Sequence, residues 1–299
     1  MKKDILIHIF QSLPKLMRLG VSLAVTFSTA TGYIIAKSSF DINILYVCIG
    51  VFLLAGGASA LNQYQERITD ALMSRTKNRP IPSGKISAST GLIIAVILCL
   101  LGSFVLFIKL GITPFLLGFL NLLWYNGFYT YLKKKTAFAV VPGSLTGVTP
   151  LLIGWSATGE SLLNFNIIFI WFFIYMWQVP HFWLLQIHYT DDYKKASLGS
   201  LYQFFSSEQV KRIVFVWIIS TSLTSLLLPY FGIIQSKPLI WAVIAINAGL
   251  IITFYRIIFN SLGLFNYKKA FILINAFMII VMLILIVESL FYKLFLFIR

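Results

Sequence analysis

The sequence predicts an all-α polytopic membrane protein, and three observations carry that prediction. The chain of 299 residues is 59% hydrophobic and only 11% charged, against about 25% charged residues in an ordinary soluble domain. Its mean hydropathy is +0.89. The apolar residues are gathered into long uncharged runs that suit membrane helices of about 20 residues and are far too long for barrel strands. In lipid, helices and closed barrels are the only ways to satisfy the backbone, so the runs read as helices. Finally, the basic residues fall mostly on one side of those runs.

Nine candidate spans follow in order, at about 18–37, 42–61, 89–109, 112–132, 138–158, 164–185, 211–234, 238–258 and 270–291. The ninth is the longest unbroken apolar stretch. The fifth is the weakest, with Pro142, Pro150 and many small residues. Proline inside a span is tolerated where neighbouring helices or a water-lined cavity satisfy the freed backbone groups, so the fifth reads as a cavity-lining helix or a simple kink. Threading the nine spans splits the 24 basic residues nineteen to five. That asymmetry is the positive-inside pattern and puts the N-terminus in the cytoplasm and the C-terminus outside. The formal net charge of +15 is thus a topological signal rather than a footprint for nucleic acid. Cys48 and Cys99 fall inside spans and read as small buried apolar residues. The residues before 19 are too polar for a cleavable signal. A single transmembrane domain over 1–299 is expected, with its long loops at about 62–88 and 186–210.

The first long loop opens with Asn62-Gln-Tyr-Gln-Glu66-Arg-Ile-Thr-Asp70. Polar residues at every fourth position drift only about 40° per step around a helix and climb about 6 Å. Asn62, Glu66 and Asp70 therefore form a row on one face, directly after a span. Carboxylates at that place are expensive unless they bind something. Hard oxygen ligands suit Mg2+, and a row this long could hold it against a diphosphate. Arg75, Lys77 and Arg79 follow within five residues, ended by Pro-Ile-Pro, and can neutralise phosphate oxygens. The bland alternative is a juxtamembrane basic loop whose acids pair internally with Arg67 and its neighbours.

The second long loop is led by Trp177-Gln-Val-Pro-His181-Phe and carries His188 and Asp191-Asp192 just where span six ends. Facing acidic clusters could clamp a metal–diphosphate assembly from two sides. His181 and His188 are seven apart and share a helix face. His181 lies inside the span, where its ring needs a partner. It could bind substrate, ligate an iron, move a proton, or simply bond to a neighbouring helix. His188 sits near the interface. Lys133-Lys134-Lys135, between spans four and five, reads as a membrane-surface anchor or a phosphate contact. Asn121 and Asn126 could line the cavity or hydrogen-bond across helices.

These residues resemble a known family. "ALNQYQERITDALMSRTKNRPIPSG" at 60–84 resembles the first signature of the UbiA-type intramembrane prenyltransferases, and in its details the heme O synthase branch. "YTYLKKKT" at 129–136, "GSLTGVTPLLIGW" at 143–155, "WQVPHFW" and "DDYKKA" within 177–196 support it. The likeness covers about the first two-thirds of the chain. Trp-Gln-x-Pro-His-Phe is the part that points to heme rather than a quinone ring. Ala139, Lys195 and the Ser197-Leu-Gly-Ser-Leu segment depart from the pattern.

The resemblance implies nine transmembrane helices around a central cavity, in the inner membrane of a bacterial cell. It implies Mg2+-dependent loss of diphosphate from farnesyl diphosphate and alkylation of a protoheme IX (heme B) vinyl group, with heme as substrate rather than resident cofactor. Carried over by position, Asn62, Glu66, Asp70 and Asp191 are the catalytic set, with Glu66, Asp70 and Asp191 on metal. Arg75, Lys77 and Arg79 fall on the basic tail of the first motif and His181 on the histidine expected near the heme, and Lys133, Asp192, Trp177 and His188 are expected among the substrate-binding residues. Beyond its substrates and the lipid bilayer, the resemblance makes heme A synthase or a terminal oxidase assembly candidate partners. Three readings stay open beside this one: a prenyltransferase for an aromatic or quinone precursor, a transporter with an ion site, and a heme-sequestering protein.

Overall fold

A computed structural model of the protein describes residues 10–259 and 266–297. Lys2, Lys3 and Arg299, counted in the charge split, lie outside the described residues. Among the described residues there is no β-strand, and eight helices are long and apolar enough to cross a membrane. The chain is a multi-pass membrane protein.

The helices are α1 (Leu19–Lys37), α2 (Ile42–Gln65), the short α3 (Arg67–Leu72), α4 (Ala88–Leu110) and α5 (Ile112–Leu122). They continue with α6 (Leu145–Ser156), α7 (Phe165–His188), the short α8 (Thr190–Lys195), α9 (Ser207–Tyr230), α10 (Lys237–Phe259) and α11 (Tyr267–Phe297). Several start at side-chain caps that occupy the otherwise orphaned first N–H groups. Asp41 accepts from the N–H of Asn43, Ser87 from Thr90 and Asn164 from Asn166.

The fourth expected span is the one missing from the eight. It is helical from 112 to 132, but α5 gives way to a π-helical segment, Leu123–Tyr129, before a last turn, Thr130–Leu132. No single regular helix there is long enough to count. The fifth span is also broken: a 3-10 turn, Ala137–Ala139, and a turn, Val140–Gly143, precede α6, which carries Pro150. The seventh begins and ends four residues earlier than expected. A capping box between Ser206 and Gln209 starts α9 ahead of Lys211, and Gly232, with φ of 71°, follows its end.

The spans close into a ring in chain order. Each of α1, α2, α4, α5, α6, α7, α9, α10 and α11 packs on the next, and α11 returns to α1. The most extensive contacts that cross the ring are α1 on α6 and α7 on α11. The first is set by glycines. A Cβ on Gly32 would lie 2.1 Å from the Leu151 carbonyl oxygen, and one on Gly154 would lie 1.9 Å from that of Thr29. Only hydrogen at both positions lets the two backbones approach so closely, as at small-residue helix crossings in lipid. The C-terminal ends of α2, of the fourth span and of α7 and the N-terminal end of α1 then meet at one end of the bundle, where the two long loops lie.

Candidate active site

The polar row forms as its spacing predicts. The helix is interrupted only at Glu66, between α2 and α3. Even so, the Glu66 N–H donates to the Asn62 carbonyl at 2.9 Å and the Asp70 N–H to that of Glu66 at 2.7 Å. The three residues are thus stacked by consecutive helical hydrogen bonds. All are buried: Asn62 is 1%, Glu66 4% and Asp70 1% exposed. Buried carboxylates need partners.

The partners come from two segments, the rest of the first loop and the end of the fourth span. Lys133 Nζ lies 2.6 Å from Glu66 Oε2, and Arg79 Nη1 lies 2.6 Å from Asp70 Oδ2. Asn62 Nδ2 donates to Thr130 Oγ1 at 3.1 Å. Arg67, offered by the sequence as an internal partner for the acids, instead lies over the Tyr64 ring and donates to its carbonyl. Burial pulls the Lys133 ammonium towards deprotonation, but the Glu66 carboxylate together with Tyr125 and Tyr193 holds Lys133 above the usual lysine range. Burial also lowers Arg79 below its ordinary value; Asp70 opposes this, while Arg18 and Arg75 add to it.

Two buried polar atoms here have no partner: Asp70 Oδ1 and Arg75 Nε. A lone anionic oxygen asks for a cation and a lone guanidinium nitrogen for an acceptor, so a metal–diphosphate pair would satisfy both. Among the described residues no group of three or more His, Cys, Asp or Glu side chains could hold a metal. Carboxylates as sparse as these need ligand oxygens to complete an octahedral shell, as is common for Mg2+. The donor set fits metal arriving with a diphosphate.

The second loop reaches the first through Asp192. Its carboxylate accepts from the Ser74 N–H and the Arg75 N–H, each at 3.0 Å, and both its oxygens accept from Ser74 Oγ at 2.8 Å. Burial works to raise Asp192, yet these donors outweigh it and hold the carboxyl below its usual range. The Arg75 guanidinium lies 5.0 Å from the centre of the Tyr189 ring. Asp191, Lys77 and His188 are exposed.

His181 sits deeper, where α7 crosses α11. Its ring lies 4.8 Å from that of Trp177, 4.9 Å from Phe271 and 5.5 Å from Phe182. Its Nδ1 is buried without a partner. Trp177 Nε1 donates to the Ile274 carbonyl at 2.8 Å, tying α7 to the last helix. Phe182 stacks on Tyr129 at 6.1 Å, and Lys133 lies 5.6 Å from that Tyr129 ring. An unbroken line of contacts therefore joins His181 to Glu66.

Of the two readings the sequence left open for Asn121 and Asn126, the structure shows bonding across helices; Thr130, Ser74 and Tyr189 are the members that sequence reasoning missed. Asn126 exchanges hydrogen bonds with Gln65 and reaches the Ala58 carbonyl at 3.1 Å, while Asn121 reaches that of Thr146 at 3.2 Å. Both asparagines join helices. Asn126 and Thr130 are four apart, a polar row facing the one on α2, and that spacing was the available signal. Ser74 and Tyr189 gave none.

Comparison with known proteins decides the family. The sequence profile of the UbiA prenyltransferase family matches residues 25–263. The chain belongs to that family. It is a prenyltransferase, grouped there with the protoheme IX farnesyltransferases. The protein of that name from Nitratidesulfovibrio vulgaris (strain DP4) is 35% identical over 220 residues, 74% of this chain and 77% of its own. The one from Oleidesulfovibrio alaskensis is 32% identical over 276 residues, 92% of this chain and 95% of its own. The fold matches a solved UbiA homolog from Archaeoglobus fulgidus bound to GPP and Mg2+, with TM-score 0.70 at 15% identity over 93% of this chain and 98% of that one.

Proposed function

We propose that the chain is a heme O synthase, transferring a farnesyl group from farnesyl diphosphate to a vinyl group of protoheme IX with loss of diphosphate, water then supplying the hydroxyl of the hydroxyethylfarnesyl side chain and releasing a proton. One observation carries the diphosphate half of this reading. The buried row Asn62–Glu66–Asp70 is neutralised by side chains that can leave it, and it keeps one anionic oxygen without a partner. The heme half is supported by the pocket around His181 and by the relatives' printed names.

Glu66 and Asp70 would hold Mg2+, which when bound neutralises the departing diphosphate and so makes it a better leaving group. Asp192 is committed to the first loop, which leaves Asp191 as the carboxylate of that pair open to metal. As the donor binds, Arg79 and Lys133 exchange their carboxylate partners for phosphate oxygens, and Arg75 uses its free Nε in the same way. Lys77 adds long-range attraction from the exposed rim. Asn62, held by Thr130, keeps a neutral oxygen in the row. These groups are aimed at the charge that grows on the leaving group, where preorganised cations contribute most. Trp177, Phe182 and His181 hold the porphyrin beside the donor, and the apolar ring of helices keeps water from the allylic cation until it is captured. The basic end of the bundle faces the cytoplasm of a bacterial cell, and the bilayer is the inner membrane.

The test supplies membranes carrying the chain with heme B, farnesyl diphosphate and Mg2+, and looks for hydroxyethylfarnesyl heme by mass. Omitting Mg2+ should abolish it. Unmodified heme beside a prenylated aromatic compound would overturn the acceptor. Failure to release diphosphate with any acceptor would overturn the whole reading.

A further inference from the structure

Gln178 is a polar side chain in an apolar place. It lies within α7, one turn before Phe182, and only 7% of it is exposed. Among the described residues it makes no hydrogen bond. A carboxamide brings two N–H donors and an acceptor oxygen, and burying it without partners is costly. A leucine of similar size would be buried there at no such cost, so the amide serves something other than the fold.

The neighbouring backbone makes room for it. A Cβ on Gly147 of α6 would lie 2.6 Å from the amide carbon and nitrogen of Gln178. One turn earlier, a Cβ on Gly143 would lie 2.4 Å from the Tyr129 ring. The strip from Gly143 to Gly147 therefore seats Tyr129 and Gln178 on successive turns. Tyr129 is the ring on which Phe182 stacks and near which Lys133 lies. Gln178 is thus one turn of α7, about 6 Å, from the place where donor and heme meet in the reading above. A second amide reaches the same stretch of α6. Asn121 Nδ2 donates to the carbonyl of Thr146, next to Gly147, and Asn121 Oδ1 is buried without a partner. Three residues beyond Gln178, His181 Nδ1 is unpartnered too.

These unpartnered groups answer a need of the reaction. Alkylation of the vinyl group leaves a second cation, on the carbon next to the porphyrin ring. Walls that keep water from the allylic cation must still present one water to this later one. A water among apolar side chains stays only where about two to four polar partners hold it. Resting on the heme O synthase reading, we propose that Gln178 holds the water that captures this second cation. Gln178 Oε1 accepts one O–H of that water and leaves a lone pair for the carbon. The lone pair forms the C–O bond and cancels the positive charge, and the other O–H proton passes to His181 Nδ1. No oxidant or reductant is consumed. Without the held water, the same cation is discharged by losing a proton from the adjoining CH2 group, which leaves an alkene in place of the alcohol.

The experiment supplies membranes carrying the full chain with heme B, farnesyl diphosphate and Mg2+, and separates the farnesylated hemes by mass. It compares the parent with Gln178→Leu and Gln178→Glu, and reads the melting temperature of each after solubilisation. In Gln178→Leu the ratio of hydroxylated heme to its alkene counterpart, lighter by one water, should fall about tenfold, the size of one lost hydrogen-bonded contact. Gln178→Glu, which keeps a carbonyl oxygen at the same reach, should recover most of that ratio. Gln178→Leu should melt no lower than the parent, because a lone buried amide adds nothing to the fold. An unchanged product ratio in Gln178→Leu would overturn the proposal. So would a lower melting temperature with both products reduced alike, which marks a structural amide. A parent that yields no farnesylated heme overturns the heme reading, and this inference with it.

Discussion

The two acidic loops use their carboxylates in different ways. In the first, Glu66 and Asp70 are buried against side-chain cations, Lys133 from the end of the fourth span and Arg79 from farther along the same loop. In the second, Asp192 is buried against the backbone N–H groups of Ser74 and Arg75. A flexible cation can swing to another anion, whereas a backbone N–H cannot leave its loop. The first pair of links is therefore exchangeable and suits a ligand site. The second is a fastener that holds the first loop closed over it.

This contrast can be broken by mutation. The largest effect is expected for Asp70→Ala, which removes a proposed metal ligand: diphosphate release should fall about 10²–10³-fold with heme and farnesyl diphosphate supplied. Near-normal release would remove Asp70 from the ligand set. Asp192→Ala should instead act on the fold, costing about 1–2 kcal/mol by taking the acceptor from two partly buried N–H groups. Thermal melting of the detergent-solubilised chain reads that cost, and an unchanged melting temperature would contradict the fastener.

Acid offers a second probe of the same fastener. The folded Asp192 carboxyl is held below its unfolded value, so its contribution is complete above the ordinary carboxylate range and is lost as pH falls through the depressed folded value. In metal-free buffer the amides of Ser74 and Arg75, corrected for intrinsic exchange, should stay protected through that ordinary range and open only in stronger acid.

Smaller effects sharpen the division of labour. His181→Ala should weaken heme binding about tenfold, the worth of roughly 1.4 kcal/mol, while Mg2+-dependent pyrophosphate binding is kept. Unchanged heme affinity would reject that role. Lys77→Ala should be the mildest: Lys77 is exposed, and exposed charges contribute little, so donor affinity should change by about twofold or less and lose even that at high salt.

Much of the fold was legible in the sequence because its signals are local. Run length and charge placement gave the helices, and the four-residue spacing of Asn62, Glu66 and Asp70 gave the row. What escaped was relational. No pattern near Glu66 names Lys133 as its partner, 67 residues away, and adjacency could not tell the buried Asp192 from the exposed Asp191. The last span looked merely apolar, yet its Phe271 and Ile274 close the pocket of His181 and Trp177. Backbone detail escaped as well: the wide turns of Leu123–Tyr129 leave no hydropathy signal, since a π segment is as apolar as the helix it interrupts.

That π segment has a consequence for related chains. A π turn accommodates one residue more than the α-helix it replaces, and each residue of an α-helix turns it by about 100°. Deleting a single residue between Leu123 and Tyr129 would regularise the helix, and Thr130 and Lys133 would swing away from Asn62 and Glu66. The insertion thus works as a phase shifter: it lets one lipid-embedded rod aim its two halves in independent directions. Sequences that lack it should show a one-residue gap in alignment here, together with a different cation opposite the glutamate.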